Sequence, residues 1–161
     1  DENMAATVTV TIKIDNAALS AALADPALMQ EPIRRFLTKS AMTVEGNAKL
    51  RVPVDTGRLR ASINHKVGEM EAVIGSRVEY APWVELGARP HWPPRKALQP
   101  WARRHGFPAG PQGAFLVARA IARHGTKAQP YLRPALQEAL PDIQRFLRDA
   151  AEEIEARWTR G

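Results

Sequence analysis

The sequence predicts an α+β domain in which a small antiparallel β-sheet is packed by two long helices, one in the N-terminal half and one at the C-terminus. Near the N-terminus, apolar and polar side chains alternate as they do along a half-buried strand. Two longer stretches place apolar residues three and four positions apart, which is typical of amphipathic helices. Between them, two strand-like segments are separated by a short turn, which predicts a hairpin. A chain of 161 residues with 45% apolar content can bury such a core.

The first strand is predicted over Thr7 to Ile14, where one face carries only β-branched apolar side chains. These are Val8, Val10, Ile12 and Ile14. Residues 1–6 are expected to lie outside the fold, as a disordered segment or one that derives from cloning. The whole chain, 1–161, is otherwise expected to form a single domain.

Two helices are predicted before residue 51. Asp15 or Asn16 can cap a short helix that runs to Leu23. Asp25-Pro26 then provides an N-cap and a first-turn proline for a longer helix, which extends to about Leu50. Its apolar face consists of Ile33, Phe36, Leu37, Ala41, Val44 and Ala48.

The segment from Pro53 to Ile63 is predicted to lead from this helix into the hairpin through a turn. Asp55 can accept hydrogen bonds from backbone N–H groups two residues on, and Gly57 can adopt a positive φ. We therefore interpret five residues as a structural turn motif rather than a catalytic one: Asp55, Thr56, Gly57, Arg58 and Leu59.

Period-two alternation predicts a strand from Leu59 to Val67 and a second strand from Ala72 to Ser76. The turn between them lies around Gly68-Glu69, and its shortness implies an antiparallel pair. Val78 to Leu86 then has the pattern of a bent apolar segment, because Pro82 disfavours a central strand.

Residues 88–128 are rich in Pro, Gly, Trp and Arg and are interpreted as a basic insertion or extended loop on the sheet domain. Two short helices are predicted within it, from Pro93-Pro94 to His105 and from Ala114 to His124, the second closed by Gly125.

The C-terminal helix is predicted from Pro134 onward, with an interruption or restart at Pro141-Asp142. Its apolar stripe favours a place in the core, with a subunit contact as the alternative. The stripe consists of Leu136, Leu140, Ile143, Leu147, Ala150, Ile154 and Trp158.

The charge of the chain is segregated. Between Ala88 and Arg133 there are nine Lys or Arg residues and no Asp or Glu, in a chain of net charge +6. Such a block indicates a polyanion or an acidic partner surface, although a solvated loop face is the alternative. The candidate contact residues for DNA or a partner are Arg89, Arg95, Lys96, Arg103, Arg104, Arg119, Arg123 and Lys127.

Aromatic residues are interleaved with these basic groups. Trp83, Trp92, Trp101 and Tyr131 could form a base-stacking platform, but Trp together with Arg is also typical of protein–protein hot spots. We favour a protein interface.

Catalytic motifs are sparse in this sequence. The histidines, His65, His91, His105 and His124, lack metal-ligand spacing, and there is no cysteine. Glycine-rich phosphate loops and nucleophile-elbow motifs do not occur. Glu79 and Glu85 are interpreted as salt-bridged or solvated carboxylates. The sequence therefore predicts a non-enzyme without cofactor or metal.

One tripeptide offers a remote alternative. Asp55-Thr-Gly is also the catalytic motif of aspartic proteases, which need two such carboxylates. This chain has one copy, so a protease would have to be a dimer. The segment before Asp55 is moreover predicted to be a helix, whereas the protease motif follows a strand.

Neither a membrane helix nor an export signal is predicted. No apolar run approaches the ~20 residues that a membrane-spanning helix needs. The N-terminal residues lack the basic and apolar regions of a signal peptide.

Three motifs in order resemble a family of long-tailed bacteriophage and prophage structural proteins, called minor tail, tail-completion or head-tail joining (neck) proteins. The motifs are Pro53-Val-Asp-Thr-Gly-Arg-Leu-Arg-Ala-Ser-Ile63, Tyr80-Ala-Pro-Trp-Val-Glu-Leu-Gly87 and Gln129-Pro-Tyr-Leu-Arg-Pro-Ala-Leu136. The resemblance covers roughly residues 30–155, and the segment between the second and third motifs is longer than in compact members.

The resemblance implies a non-enzymatic virion protein of the neck or tail, assembled in the bacterial host cytoplasm. Its partners would be other neck and tail proteins and further copies of itself, in a six-fold or twelve-fold ring around the DNA channel. A basic loop could there face packaged DNA or an acidic neighbouring ring. Residues with an interface or packing role in the matching motifs would be Tyr80, Trp83, Glu85, Tyr131 and Pro134.

Overall fold

The computed structural model describes residues 8–14 and 27–159. The chain divides into two compact units, which we call unit 1 and unit 2. Unit 1 comprises the residues up to Ala81 and those from Pro130 onward, and unit 2 comprises Pro82–Gln129. Unit 2 contains the whole of the segment interpreted as an insertion. The short helix predicted to end at Leu23 lies outside the described residues.

Unit 1 contains a three-stranded antiparallel sheet. Its strands are β1 (Val8–Lys13), β2 (Asn64–Val67) and β3 (Glu71–Ser76), in the order β1-β3-β2. Along β1, half-buried and exposed residues alternate, as the sequence predicted. The antiparallel β2–β3 hairpin was also predicted, and central β3 buries Ala72 and Ile74 completely.

Gly75 lets β1 approach the centre of the sheet. It pairs with Thr9, and a Cβ at this position would overlap the carbonyl oxygen of Val8. Any side chain here would therefore push β1 away from β3.

The predicted long helix is confirmed as α1 (Ala27–Arg51). It contacts β2 and β3 on one side and the C-terminal helix on another, which explains why its apolar stripe is broad. Pro32 lies in the second turn and is fully buried. The buried apolar side chains of α1 are Met29, Ile33, Phe36, Leu37, Ala41, Val44 and Ala48.

The strand predicted from Leu59 to Val67 is wrong in its first half. Residues Arg58–Ser62 form a short helix, α2, and β2 begins only at Asn64. Leu59 and Ile63 are both buried, and their spacing of four fits a helical turn as well as a strand. Ala61, which a strand would have placed beside them, is exposed.

The C-terminal helix, Leu132–Trp158, is numbered α6 because three helices of unit 2 precede it in the chain. The predicted interruption at Pro141-Asp142 is wrong, because α6 runs through Pro141 without a break. An interior proline costs a helix about 3 kcal/mol. Here α6 buries Ala139 before the proline and Ala150 after it, and the Arg51–Glu138 and Arg35–Glu153 ion pairs also join it to the antiparallel α1 on both sides. Tertiary contacts therefore override the local preference.

The apolar stripe predicted for α6 is only partly core. Of the seven predicted residues, Ala150 is buried, and the helix also buries Leu132, Ala135 and Ala139. Three of the larger predicted residues are exposed: Leu140 (46%), Leu147 (49%) and Trp158 (55%). Small side chains face α1 because they let two helices approach closely, and the bulky ones are left outside.

Unit 2 contains the helices α3 (Ala81–Leu86, which begins one residue earlier), α4 (Arg95–Arg104) and α5 (Pro111–His124). The segment predicted as bent and apolar is thus a turn followed by α3, in which Pro82 occupies a first-turn position that tolerates proline. The predicted helices of the insertion are confirmed, and α5 begins three residues earlier than expected.

The core of unit 2 consists of small residues. Helices α4 and α5 pack against each other through Ala102 on the first, and Gly113, Ala114, Val117 and Ala118 on the second. A Cβ on Gly113 would overlap the carbonyl oxygen of Pro108, so the approach of the interhelical loop to α5 requires glycine. The ends of the unit are joined by hydrogen bonds between Ala88 and Thr126 and from Gln129 N–H to the Val84 carbonyl oxygen (2.8 Å).

Candidate interaction site

The basic residues singled out in the sequence are all at the surface of unit 2. Each of the eight side chains is exposed: Arg89, Arg95, Lys96, Arg103, Arg104, Arg119, Arg123 and Lys127. Glu85 is the only acidic residue of unit 2, and it is 7% exposed. Unit 2 therefore presents positive charge to solvent with little acidic side-chain surface to offset it.

Helix α5 aligns aromatic and basic groups in one row. Phe115, Arg119 and Arg123 are four residues apart, so they follow one another along the same side of the helix. Trp92 stacks on Phe115, with ring centroids 6.2 Å apart and an interplanar angle of 27°. The row thus offers a flat apolar surface continued by two guanidinium groups.

A second aromatic cluster lies at the end of α4. The rings of Trp101 and His105 stack at 4.0 Å and 13°, and Phe107 lies 6.0 Å from Trp101. Nδ1 of His105 donates to the Trp101 carbonyl oxygen (2.9 Å), which fixes the orientation of the imidazole. Gly106, with φ of 78°, makes the turn that brings Phe107 back to this cluster.

The chemistry of these side chains suits the binding of anions and of aromatic groups. Guanidinium groups beside aromatic faces suit carboxylates, phosphates and stacked rings. His91 is engaged through Nδ1 with the Arg89 carbonyl oxygen (2.8 Å). Within residues 8–14 and 27–159, no group of three or more His, Asp or Glu could hold a metal ion.

The predicted turn motif divides between a turn, which includes Gly57, and helix α2, which includes Arg58 and Leu59. Gly57 has φ of 79°, and its carbonyl oxygen accepts the first helical hydrogen bond of α2 from Ala61 (2.9 Å). The Thr56 hydroxyl accepts a long hydrogen bond from the Arg58 N–H (3.5 Å). Leu59 is buried. Asp55 is exposed. Its role in the turn stays a prediction.

The protease alternative finds no support in this geometry. Helix α1 ends four residues before Asp55, and α2 begins three residues after it. The strand that precedes the catalytic aspartate in aspartic proteases is therefore replaced by a helix.

The residues predicted to have interface or packing roles differ in exposure. Tyr131 is fully buried, Glu85 is buried, and Tyr80 and Pro134 are half-buried. Trp83 is 56% exposed, so it alone of the five presents a large side chain to solvent.

Sequence reasoning missed a polar cluster in unit 1. Glu45 of α1 binds both Lys49, one turn further along the helix, and His65 of β2. Partial burial acts to raise the pKa of Glu45, but the hydrogen bonds and charges of Lys49 and His65 outweigh it, so the pKa lies below its ordinary value. The four-residue spacing of Glu45 and Lys49 on a predicted helix indicates an ion pair. The contact of Glu45 with His65 could not be predicted in this way, because it depends on how α1 packs against β2.

The described part of the chain is a small α+β protein that presents basic and aromatic side chains at its surface. No helix in the described ranges is long and apolar enough to span a bilayer.

Residues 13–87 match the model of the family described as "Bacteriophage HK97-gp10, putative tail-component". This match confirms the resemblance to phage tail proteins over a segment that contains the first two of the three motifs. It supports a role as a structural component of a phage tail. No curated protein and no solved structure shows significant similarity to the chain.

Proposed function

We propose that the protein is a non-enzymatic structural component of the phage neck or tail, where it joins or completes the head-tail connection as one subunit of a ring around the DNA channel. The family match supports a tail component. The observation that carries the finer proposal is the surface of unit 2, where all eight candidate basic side chains are exposed and the only acidic one is buried.

A ring multiplies such a surface. In a cyclic assembly every copy presents the same patch in the same orientation, so the positive charge of unit 2 is repeated around the axis. B-DNA carries about one negative charge per 1.7 Å along its helix. A channel lined by unit 2 would attract it, and an acidic neighbouring ring would be attracted in the same way. The exposed Trp and Phe side chains favour the protein ring as the main partner.

The first experiment is deletion of this gene from the parent phage or prophage, followed by electron microscopy of the lysate. We expect filled heads and separate tails that fail to join, and infectivity restored by the gene supplied from a plasmid. Infectious, intact particles from the deletion strain would contradict the proposal.

The second experiment tests the basic surface by complementation. Four exposed residues of unit 2 are changed to Gln together: Lys96, Arg103, Arg119 and Arg123. The control removes the same charge from exposed residues of unit 1: Lys13, Arg34, Arg77 and Arg148. We expect the unit 2 variant to lose most of its complementing activity and the control to keep it. Equal activity of the two variants would refute the assignment of unit 2 as the contact surface.

A free-standing nucleic-acid-binding protein is the second candidate, and the Trp92–Phe115 stack beside Arg119 favours it. Such a protein would bind generic DNA at physiological salt, with log K falling linearly as log salt concentration rises. A steep dependence, lost in the unit 2 variant, would favour this function. Absence of binding at physiological salt would leave the structural role.

A further inference from the structure

Unit 1 has two exposed apolar patches, one flanked by acidic residues and the other by basic residues. The first, which we call the α6 row, consists of Leu140, Leu147 and Trp158 on the outer side of α6. Their separations of seven and eleven residues correspond to two and three helical turns, so they lie on one side of the helix. In an isolated globular protein, a helix usually buries its large apolar side chains. Helix α6 instead buries alanines and exposes two leucines and a tryptophan.

The α6 row is acidic toward its C-terminal end. Between Asp149 and Ala156 there are four acidic residues and no basic one. Glu153 is occupied by Arg35 and Arg157. The other three, Asp149, Glu152 and Glu155, are exposed and have no ion pair within the described part of the chain.

The second patch is a groove of about 450 Å³ between the end of α1 and α2. Its floor is open because two of its lining residues are glycines, Gly46 and Gly57, and nothing lies within 4 Å of where either Cβ would be. Leu50, which is 86% exposed, and Arg60 line it. A volume of this size accommodates a large side chain.

The groove is basic where the α6 row is acidic. Residues 49–60 include Lys49, Arg51, Arg58 and Arg60, against one acidic residue. Arg58 and Arg60 are exposed and make no ion pair among the described residues. They are therefore available to carboxylates from another molecule.

The acidic end of the α6 row and the groove lie at opposite ends of the α1–α6 pair. Glu138 contacts Arg51 at the groove end, and Glu153 contacts Arg35 at the acidic end. Fifteen residues of helix separate these contacts, which is about 22 Å at 1.5 Å per residue. The acidic end of a chain consequently cannot reach its own groove.

We propose that the acidic end of the α6 row docks in the α1–α2 groove of a second copy of this chain, with Trp158 in the groove and Glu155 beside Arg60. Two different surfaces at opposite ends give a head-to-tail contact, which propagates from copy to copy and forms a ring when the rotation between copies closes. Arg60 beside the indole adds a cation–π contact. This contact rests on the proposed ring and supplies its subunit interface.

Cysteine cross-linking tests the contact cleanly, because the chain has no cysteine of its own. The variant carries Leu50→Cys and Ala151→Cys, both at exposed positions, and is treated with a short bismaleimide, both purified and in phage lysate. We expect a ladder of dimers, trimers and larger species. The control pairs Leu50→Cys with Glu69→Cys, in the exposed hairpin turn, and should stay monomeric.

Several outcomes would overturn the contact. One is equally weak cross-linking of the test variant and the control variant. Another is a ladder that stops at the dimer. A third is strong dimer formation by a variant with Ala151→Cys alone, which would indicate a two-fold α6–α6 contact. If the variant complements the gene deletion but gives no ladder, this contact fails and the proposed function stands. If the deletion strain is infectious but the purified protein gives a ladder, the proposed function fails and the contact stands.

A charge swap adds an independent test. Arg60→Glu and Glu155→Arg should each weaken association by about tenfold, measured by sedimentation or by cross-linking yield, and the double variant should regain most of it. Circular dichroism checks that each variant folds, which is expected because both side chains are exposed. A double variant as weak as the singles would refute this pairing.

Discussion

The two units use large apolar side chains in opposite ways. Unit 1 buries large side chains such as Leu37, Ile74 and Tyr131 completely. Unit 2 packs its α4–α5 pair through alanines, a glycine and a valine, and leaves Trp83 56% and Trp92 63% exposed. Because hydrophobic stabilisation scales with the apolar area removed from water, unit 1 is expected to carry most of the stability. The aromatic area of unit 2 remains available to a partner.

The largest effect that would test this comparison is expected in unit 1. Leu37→Ala removes a fully buried side chain from α1 and should lower the free energy of unfolding by about 2–5 kcal/mol. Leu50→Ala, on the same helix but 86% exposed, should change it by less than about 0.5 kcal/mol. Chemical denaturation measures both. Similar losses in the two variants would contradict the assigned core.

The next effect concerns the close packing of unit 2. Gly113→Ala forces a Cβ onto the Pro108 carbonyl oxygen and should cost about 1–3 kcal/mol. Hydrogen exchange should be faster in α4 and α5 and unchanged in the sheet. Gly46→Ala, in a helical position with nothing within 4 Å, should instead stabilise by about 0.5–1 kcal/mol. A harmless Gly113→Ala would mean that the interhelical loop is not tightly packed.

A smaller, pH-dependent effect is expected where α1 meets β2. Glu45→Gln should cost about 1–2 kcal/mol near neutral pH, because it weakens charge-assisted hydrogen bonds to Lys49 and His65. The pKa of Glu45 is lowered in the folded protein, so this contribution is complete above the ordinary carboxyl value of 4.5 and is lost as pH falls through the folded pKa. Unfolding curves of wild type and variant should therefore converge at acidic pH. A cost that persists at pH 3 would point to packing instead.

The smallest effect is expected at the surface of unit 2. Trp92→Ala removes more atoms than Leu37→Ala, yet it should change the free energy of unfolding by less than about 1 kcal/mol, because the side chain is 63% exposed. Its influence should appear in complementation of the gene deletion. A loss above about 2 kcal/mol would show that Trp92 belongs to a core, and would remove the contrast between the units.

Elements with a clear periodicity could be predicted from the sequence. Two features could not, because they depend on packing: the conformation of residues 58–62 and the buried face of α6. The alternation of β1 and the spacing along α1 identified both elements. Leu59 and Ile63, in contrast, satisfy a strand and a helical turn equally, and four residues are too few to distinguish the two periods. On α6, hydrophobicity predicted that Leu140 and Leu147 would be buried. In the structure the smaller Ala135 and Ala139 are buried instead, because small side chains allow close contact with α1.

The candidate surfaces were predictable to a different extent. The basic residues of unit 2 follow from composition, but six of the eight lie in α4 and α5 rather than in a loop. Their order in space, including the stacking of Trp92 on Phe115, does not follow from spacing, because the two residues are distant in sequence. The groove beside Arg60 also depended on α2, which the sequence did not indicate.

The hydrogen bonds that join the ends of unit 2 close this segment at its base. Ala88 pairs with Thr126, and Gln129 with Val84, so the chain enters and leaves unit 2 at neighbouring points. The entropic cost of closing the segment between these hydrogen bonds rises only slowly with the length of the segment. Replacing the segment between residues 88 and 126 with one of a different length is therefore expected to leave these hydrogen bonds in place.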